Sequence, residues 1–207
     1  MPNFDTEILL KKPVIGIDEV GRGPLAGPVV SCACIFLDYS IKQSQLFLFN
    51  DSKKLSFKKR REAFHKIYDL KNERKLRFAL GFANVIEIDK FNILEATKIS
   101  MRRAIKKLHY DNANLIIDGK IDLKLPNYKS KGIVKGDQKS YSIATASIIA
   151  KIHRDRYMRY LSQQYPRYAW GENSGYGTKK HIEEIYHSGI TDHHRKTFQP
   201  IKSLIHS

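Results

Sequence analysis

VIGIDEVGRGP, residues 14–24, decides the reading of this chain. Val14-Ile15-Gly16-Ile17 is a short apolar run that stops abruptly at two adjacent acids, Asp18 and Glu19. An unbroken apolar run of this length predicts a strand buried on both faces. Acids at the end of such a strand are costly, because burial strips their hydration and the two charges repel. Gly21-Arg22-Gly23-Pro24 follows, a turn too rich in glycine and proline for regular structure. Val29 to Phe36 then predicts a second strand. Its cysteines, Cys32 and Cys34, are the only two in the chain. At two positions apart they would share one face of the strand, a poor span for a disulfide, and they are expected to be buried thiols.

Outward from this stretch, strands alternate with helices. Ser56 predicts the N-cap of a helix over residues 56–70, with Phe64, Ile67 and Tyr68 on its apolar face. Phe78, Leu80 and Phe82 alternate with smaller residues and predict a third strand. Leu94, Met101, Ile105 and Leu108 form a stripe at helical spacing. Leu115-Ile116-Ile117 is a further apolar run that ends at an acid, Asp118. Ile133-Val134 is a short strand candidate, followed by Gly136-Asp137. A helix over residues 140–161 carries Ala144, Ala146, Ser147 and Ala150, small enough to let it approach a sheet closely. Beyond Pro166 glycine, aromatic and histidine residues are frequent, and one more helix is predicted near residues 179–187. The shift at Pro166 predicts an α/β domain over residues 1–165 and a C-terminal extension over 166–207.

The acids that close these runs stand in a strongly basic chain. Its 207 residues hold 37 lysines and arginines against 21 acids, a net charge of +16, which points to a polyanionic partner. Asp18, Glu19, Asp118 and Asp137 supply oxygen ligands of the kind that hard divalent ions such as Mg²⁺ or Mn²⁺ take. An acidic metal site within a basic surface is the signature of phosphodiester chemistry. Two basic groups would add phosphate affinity and salt dependence: Lys53, Lys54, Lys58, Lys59, Arg60 and Arg61, and Lys98, Arg102, Arg103, Lys106 and Lys107. Other classes are excluded. No CxxC or HExxH spacing supports a zinc site. No apolar run approaches the roughly 20 residues of a membrane span. The opening MPNFDTEILLKK does not read as a signal peptide, so a cytoplasmic protein is expected.

Six stretches resemble the motifs of the ribonuclease HII family: DEVGRGPLAGPV at 18–29, SKKLS at 52–56, LIIDGK at 115–120, KGDQKSYSIATASIIAKIHRD at 135–155, GYGTKKH at 175–181 and HHRKTF at 193–198. They occur in family order over nearly the whole chain. The departures are small: Thr145 and Thr197 stand where the family usually has a small residue and serine. The sibling ribonuclease HIII typically has lysine in the position of Arg22 and an additional N-terminal domain. Here the strand bearing the first acid begins at Val14, so no such domain is expected.

The resemblance implies a ribonuclease H-like fold, a mixed five-stranded sheet flanked by helices with a small helical C-terminal extension. It implies that Asp18, Glu19, Asp118 and Asp137 are the catalytic carboxylates and hold two divalent ions, Mn²⁺ or Mg²⁺, with Asp18 as the candidate bridge. It also implies endonucleolytic cleavage of RNA in RNA–DNA hybrids and of a single ribonucleotide within duplex DNA, leaving a 3′-hydroxyl and a 5′-phosphate. Gly21, Arg22 and Gly23 would read the RNA-to-DNA junction, and Tyr176 would stack on the neighbouring deoxyribose. Lys53 and Arg195 are further candidates for substrate contact. Asp155 is read either as a partner of the site or as a helix-surface ion pair. A monomer is expected, and the tail QPIKSLIHS has no hydrophobic residue three positions after Gln199 to suit a sliding clamp.

Overall fold

A computed structural model of the chain describes residues 1–10, 13–50, 52 and 55–205. The elements run α1 (Asp5–Leu9), β1 (Val14–Val20), β2 (Val29–Phe36), α2 (Gln43–Leu46), α3 (Phe57–Asn72), β3 (Leu76–Ala83), α4 (Val85–Leu108), β4 (Asn114–Asp118) and β5 (Lys129–Ile133). A 3₁₀ turn at Gly136–Gln138 leads into α5 (Tyr141–Gln164), followed by α6 (Trp170–Asn173), α7 (Lys179–Ser188) and α8 (Ile201–Leu204). The strands form one mixed sheet in the order β3-β2-β1-β4-β5. β1 pairs antiparallel with β2 and parallel with β4, and β4 pairs parallel with β5.

Alternation along β1 assigns its two faces. Ile15 and Ile17 join Leu115 and Ile117 against Met101, Ala104, Ile105 and Leu108 of α4. Val14 and Ile116 point the other way and meet Ile143 of α5. Leu94, predicted within the stripe of α4, is instead exposed. The helix breaks at Asn92, whose side chain caps Leu94 and Glu95 and shifts the helical phase. Cys32 and Cys34 are free and lie in the core on the α5 side, where burial pushes both thiols up and leaves them protonated.

The packing of α5 on β1 sets up everything that follows. A Cβ on Gly16 would lie 2.4 Å from the carbonyl carbon of Ser142, so only glycine admits the helix at this distance. Ser140 caps the helix by accepting from the Ile143 N–H. The buried carboxylate of Glu7 in α1 accepts from the Ser140 hydroxyl at 2.7 Å and the Ser142 N–H at 3.1 Å. A negative charge at a helix N-terminus is favourable, and here it also fastens the N-terminal segment over the start of α5. Past Pro166 the chain folds back: Trp170, Ile185 and Ile201 share one core with Leu25, Ala26, Met158 and Leu161. Among the described residues no helix is long and apolar enough to cross a membrane.

Candidate active site

Ile17 pairs with Ile117 in the last rung of the parallel β1–β4 ladder, so the next residues, Asp18 and Asp118, stand side by side; Asp118 ends β4, whereas β1 runs two residues past Asp18 to Val20. Parallel neighbours lie about 4.8 Å apart, and both acids keep the parity of Val14 and Ile116, which faces α5. The carboxyl ends of strands in an open α/β sheet are where such folds bind ligands. Asp18 is buried and accepts from the Glu19 N–H at 2.7 Å, with the Ser147 hydroxyl of α5 as a second hydrogen-bond partner. Asp118 accepts from the Gly136 N–H at 2.7 Å, which brings the 3₁₀ turn and the buried Asp137 to the same strand end. Glu19 accepts from Arg22 at 3.3 Å.

Burial, then the charges of Glu19 and Asp118, hold the Asp18 carboxyl well above the usual carboxylate range; Ser147 and the Glu19 N–H only partly offset this. Like charges gathered at a buried strand end favour a cation among them. Among the described residues no three acid, histidine or cysteine side chains stand close enough to enclose an ion unaided. Magnesium is held by one or two carboxylates and keeps water and substrate phosphate oxygens in its remaining positions. The all-oxygen donor set and the raised Asp18 therefore fit a hard divalent ion shared with a substrate.

The turn Gly21-Arg22-Gly23 follows β1 directly, with Arg22 reaching back to Glu19, and two buried arginines hold it. Arg195 donates to the carbonyls of Gly21 at 2.5 Å, Arg22 at 2.8 Å and Gly27 at 2.8 and 3.0 Å. Arg154 donates to the carbonyls of Pro28 at 2.9 Å, Ala26 at 3.0 Å and Ser174 at 2.8 Å. Both side chains are fully buried. Burial, and for Arg195 the neighbouring Arg154, pulls the guanidinium of Arg154 down to about 10 and that of Arg195 to about 9. Gly21 itself has φ +92°, and a Cβ there would lie 2.1 Å from Arg154 Nε. Its left-handed backbone is thus compatible only with glycine beside this arginine.

Tyr176 stands against the same turn, with a ring carbon 3.7 Å from where a Cβ on Gly23 would be. Its backbone is held by His181, which in turn meets His194, and the tautomers of both follow from their partners. His181 Nδ1 donates to the Tyr176 carbonyl at 2.8 Å, which leaves Nε2 to accept from Trp170 Nε1 at 3.0 Å. His194 Nδ1 accepts from the Thr191 N–H at 2.9 Å, so its Nε2 carries the proton and points at His181 Nε2, 3.2 Å away. Every ring nitrogen without a proton already faces a donor. A further proton would confront a donor N–H at each of these nitrogens, and burial lowers both groups, His194 to about 3.

The fold thus links these residues pairwise: Asp18 with Glu19 and Asp118, Asp118 with the turn that carries Asp137, Glu19 with Arg22, and Gly23 with Tyr176. Arg195, expected to touch substrate, is instead sealed inside with its guanidinium engaged by main-chain carbonyls; among the described residues no acid lies within ion-pair distance of it, although Asp89 is near enough to favour its charge. Lys53 lies outside the described residues. Asp155 forms an ion pair with Lys151 at 2.7 Å and reaches Arg60 at 3.8 Å and the Ser174 hydroxyl at 3.3 Å. Ser147, Arg154, His181 and His194 were not singled out from the sequence as site residues, although all four fall within the quoted motifs.

A mixed five-stranded sheet with acids side by side at the close of its parallel β1–β4 ladder defines a ribonuclease H-like protein. The chain superimposes on the crystal structure of ribonuclease H2 from Pyrococcus horikoshii with a TM-score of 0.73 and 25% identity, over 93% of this chain and 96% of that one. The ribonuclease HII family model matches residues 15–201. Ribonuclease HII of Staphylococcus saprophyticus is 47% identical over 99% of this chain and 77% of its own length. That of the Wolbachia of Brugia malayi is 46% identical over 97% and 94%. The chain belongs to the ribonuclease HII family. It is accordingly a hydrolytic, divalent-metal-dependent endonuclease of the ribonuclease H kind, acting on RNA–DNA hybrids.

Proposed function

We propose that the enzyme also cuts at a single ribonucleotide embedded in duplex DNA, leaving a 3′-hydroxyl and a 5′-phosphate, with Asp18, Glu19, Asp118 and Asp137 holding Mg²⁺ or Mn²⁺. The observation that carries this reading is the pairing of Ile17 with Ile117, after which Asp18 and Asp118 stand side by side at the close of the parallel ladder. Bound divalent ions would supply the activation of water and the neutralisation of charge on the leaving oxygen. In the reaction, water oxygen adds to phosphorus, the bond to the 3′ oxygen breaks, and that oxygen departs with a proton.

The protein's own contribution is placement. Ser147 and the Glu19 N–H orient the Asp18 carboxylate, and the Gly136 N–H orients Asp118. The glycines of the turn let the backbone approach the ribose, whose 2′-hydroxyl distinguishes RNA from DNA. Arg22, exposed at the rim, has the donor geometry for a phosphate, and Tyr176 offers a ring face to the sugar that follows. Residues 166–207 complete the cleft by carrying Tyr176 and its supports. The protein is expected to act as a monomer in the cytoplasm.

The test is cleavage of duplex DNA holding one ribonucleotide, with and without chelator. Chelator should abolish it, and Asp18→Asn or Asp118→Asn should each remove several kcal/mol of barrier stabilisation, at about 1.4 kcal/mol per tenfold in rate. Retention of near wild-type rates by both variants overturns the assignment.

A further inference from the structure

Away from the acids, α3 and α5 enclose a groove of about 330 Å³ lined by Phe57, Arg60, Arg61, His65, Ile152, Asp155, Arg156 and Arg159. Four of these are arginines and one is an acid. Asp155 is already engaged by Lys151 and Arg60. Among the described residues no acid lies within ion-pair distance of Arg61, Arg156 or Arg159. These cations are also braced. Arg156 lies over the Phe64 ring at 4.8 Å and Arg159 over the Phe57 ring at 5.5 Å. Arg60 is fixed by the carbonyls of Ser52 and Leu55, each at 2.9 Å. A guanidinium stacked on a ring keeps its N–H edge for oxygen ligands, and its fork matches the oxygens of a phosphate.

Helix α5 connects the groove to the acids. Ser147, Lys151, Asp155 and Arg159 are spaced four apart, so they form one stripe along α5, starting beside Asp18. At a rise of 1.5 Å per residue, Asp155 and Arg159 lie about 12 to 18 Å from Ser147. With about 3.4 Å of duplex axis per nucleotide, that is roughly four or five base pairs. Asp155 and Arg154 also tie α5 to Ser174, in the segment that carries Tyr176.

We infer that this groove is a second substrate site, which takes backbone phosphates of the bound duplex about four or five base pairs from the scissile bond. The inference rests on the nuclease reading above. The same chemistry suits inorganic phosphate or a free nucleotide, and the experiment separates these sources.

The probes are a long labelled duplex with one central ribonucleotide and two versions trimmed to fewer than about four base pairs on one side or the other. Binding is read by fluorescence anisotropy across a salt series, and cleavage is read separately. For the folded double variant Arg156→Ala/Arg159→Ala, KM on the long duplex should rise about tenfold and the salt slope should fall by about one to two. On the duplex trimmed at the groove side, variant and wild type should behave alike. Arg156→Lys/Arg159→Lys, which keeps charge without the fork, should retain the salt slope with an intermediate KM. Unchanged KM and salt slope on the long duplex overturn the inference. So does calorimetric binding of inorganic phosphate that the double variant loses while its duplex binding is intact. If wild type binds but cuts no hybrid, the nuclease reading fails, and the salt slopes still decide the groove.

Discussion

Replacing Arg195 by methionine tests whether the substrate-facing turn is held from inside the protein. Methionine keeps much of the apolar stem and removes the guanidinium that bonds the carbonyls of Gly21, Arg22 and Gly27. Each buried carbonyl left without a donor costs about 1–3 kcal/mol. Against this, losing a buried cation beside Arg154 relieves desolvation and repulsion, the two effects that depress the Arg195 guanidinium. The contact over the Phe198 ring, at 5.0 Å, is lost too. The net cost should be about 2–5 kcal/mol, read from urea unfolding. Displacement of the turn by about 1 Å should lower kcat/KM on the embedded ribonucleotide by up to about a hundredfold. Arg195→Lys, with a point charge in place of a fork, should recover part of the stability and little of the activity. The salt slope separates the two roles for this residue. A phosphate contact would lower it by about one with stability intact, whereas an internal brace leaves it unchanged. Unaltered unfolding and unaltered kcat/KM in Arg195→Met would refute the reasoning.

Three further outcomes follow from the geometry. Gly16→Ala forces a carbon into the Ser142 backbone and should lower stability by at least about 1–3 kcal/mol while parting Ser147 from Asp18; a variant with wild-type thermal unfolding and activity would contradict this close approach. His194 titrates near 3 in the fold against 6.5 when unfolded, so its contribution is intact above 6.5 and is lost as pH falls below it, about 2 kcal/mol by pH 5 at 1.36 kcal/mol per unit. His194→Asn should flatten stability against pH over this window, and an unchanged slope would assign the acid sensitivity elsewhere. Tyr176→Ala should reduce cleavage at a single ribonucleotide more than cleavage of a long hybrid; an equal fall on both substrates removes Tyr176 from the junction.

The first four strands and the acids that break their apolar runs were readable from the chain alone, because hydrophobic periodicity is a local signal; β5, expected at Ile133–Val134, instead covers the polar, largely exposed Lys129–Ile133, where that signal is missing. Ile17 and Ile117 announce core strands, and a carboxylate directly after each breaks the pattern where hydration should forbid it. The cap at Ser56 and the small residues of α5 were equally plain. Chain-local reading failed where local structure was interrupted, as at Asn92, which turned Leu94 outward.

What no pattern could show is which residues support the cleft. Arg195 reads as a basic side chain in a polar segment, and basic residues ordinarily seek solvent or phosphate. Its partners are carbonyls 168 to 174 positions earlier, and a carbonyl is the same group on every residue type, so nothing in the side-chain sequence marks it. His181 and His194 likewise acquire their neutral tautomers only from Trp170, Tyr176 and Thr191 once the chain has folded back. The primary structure specified the strand-end carboxylates because burial and charge conflict within a few residues. The turn's conformation and the ring placed against it were settled by long-range hydrogen bonds, which exist only when distant main-chain atoms meet.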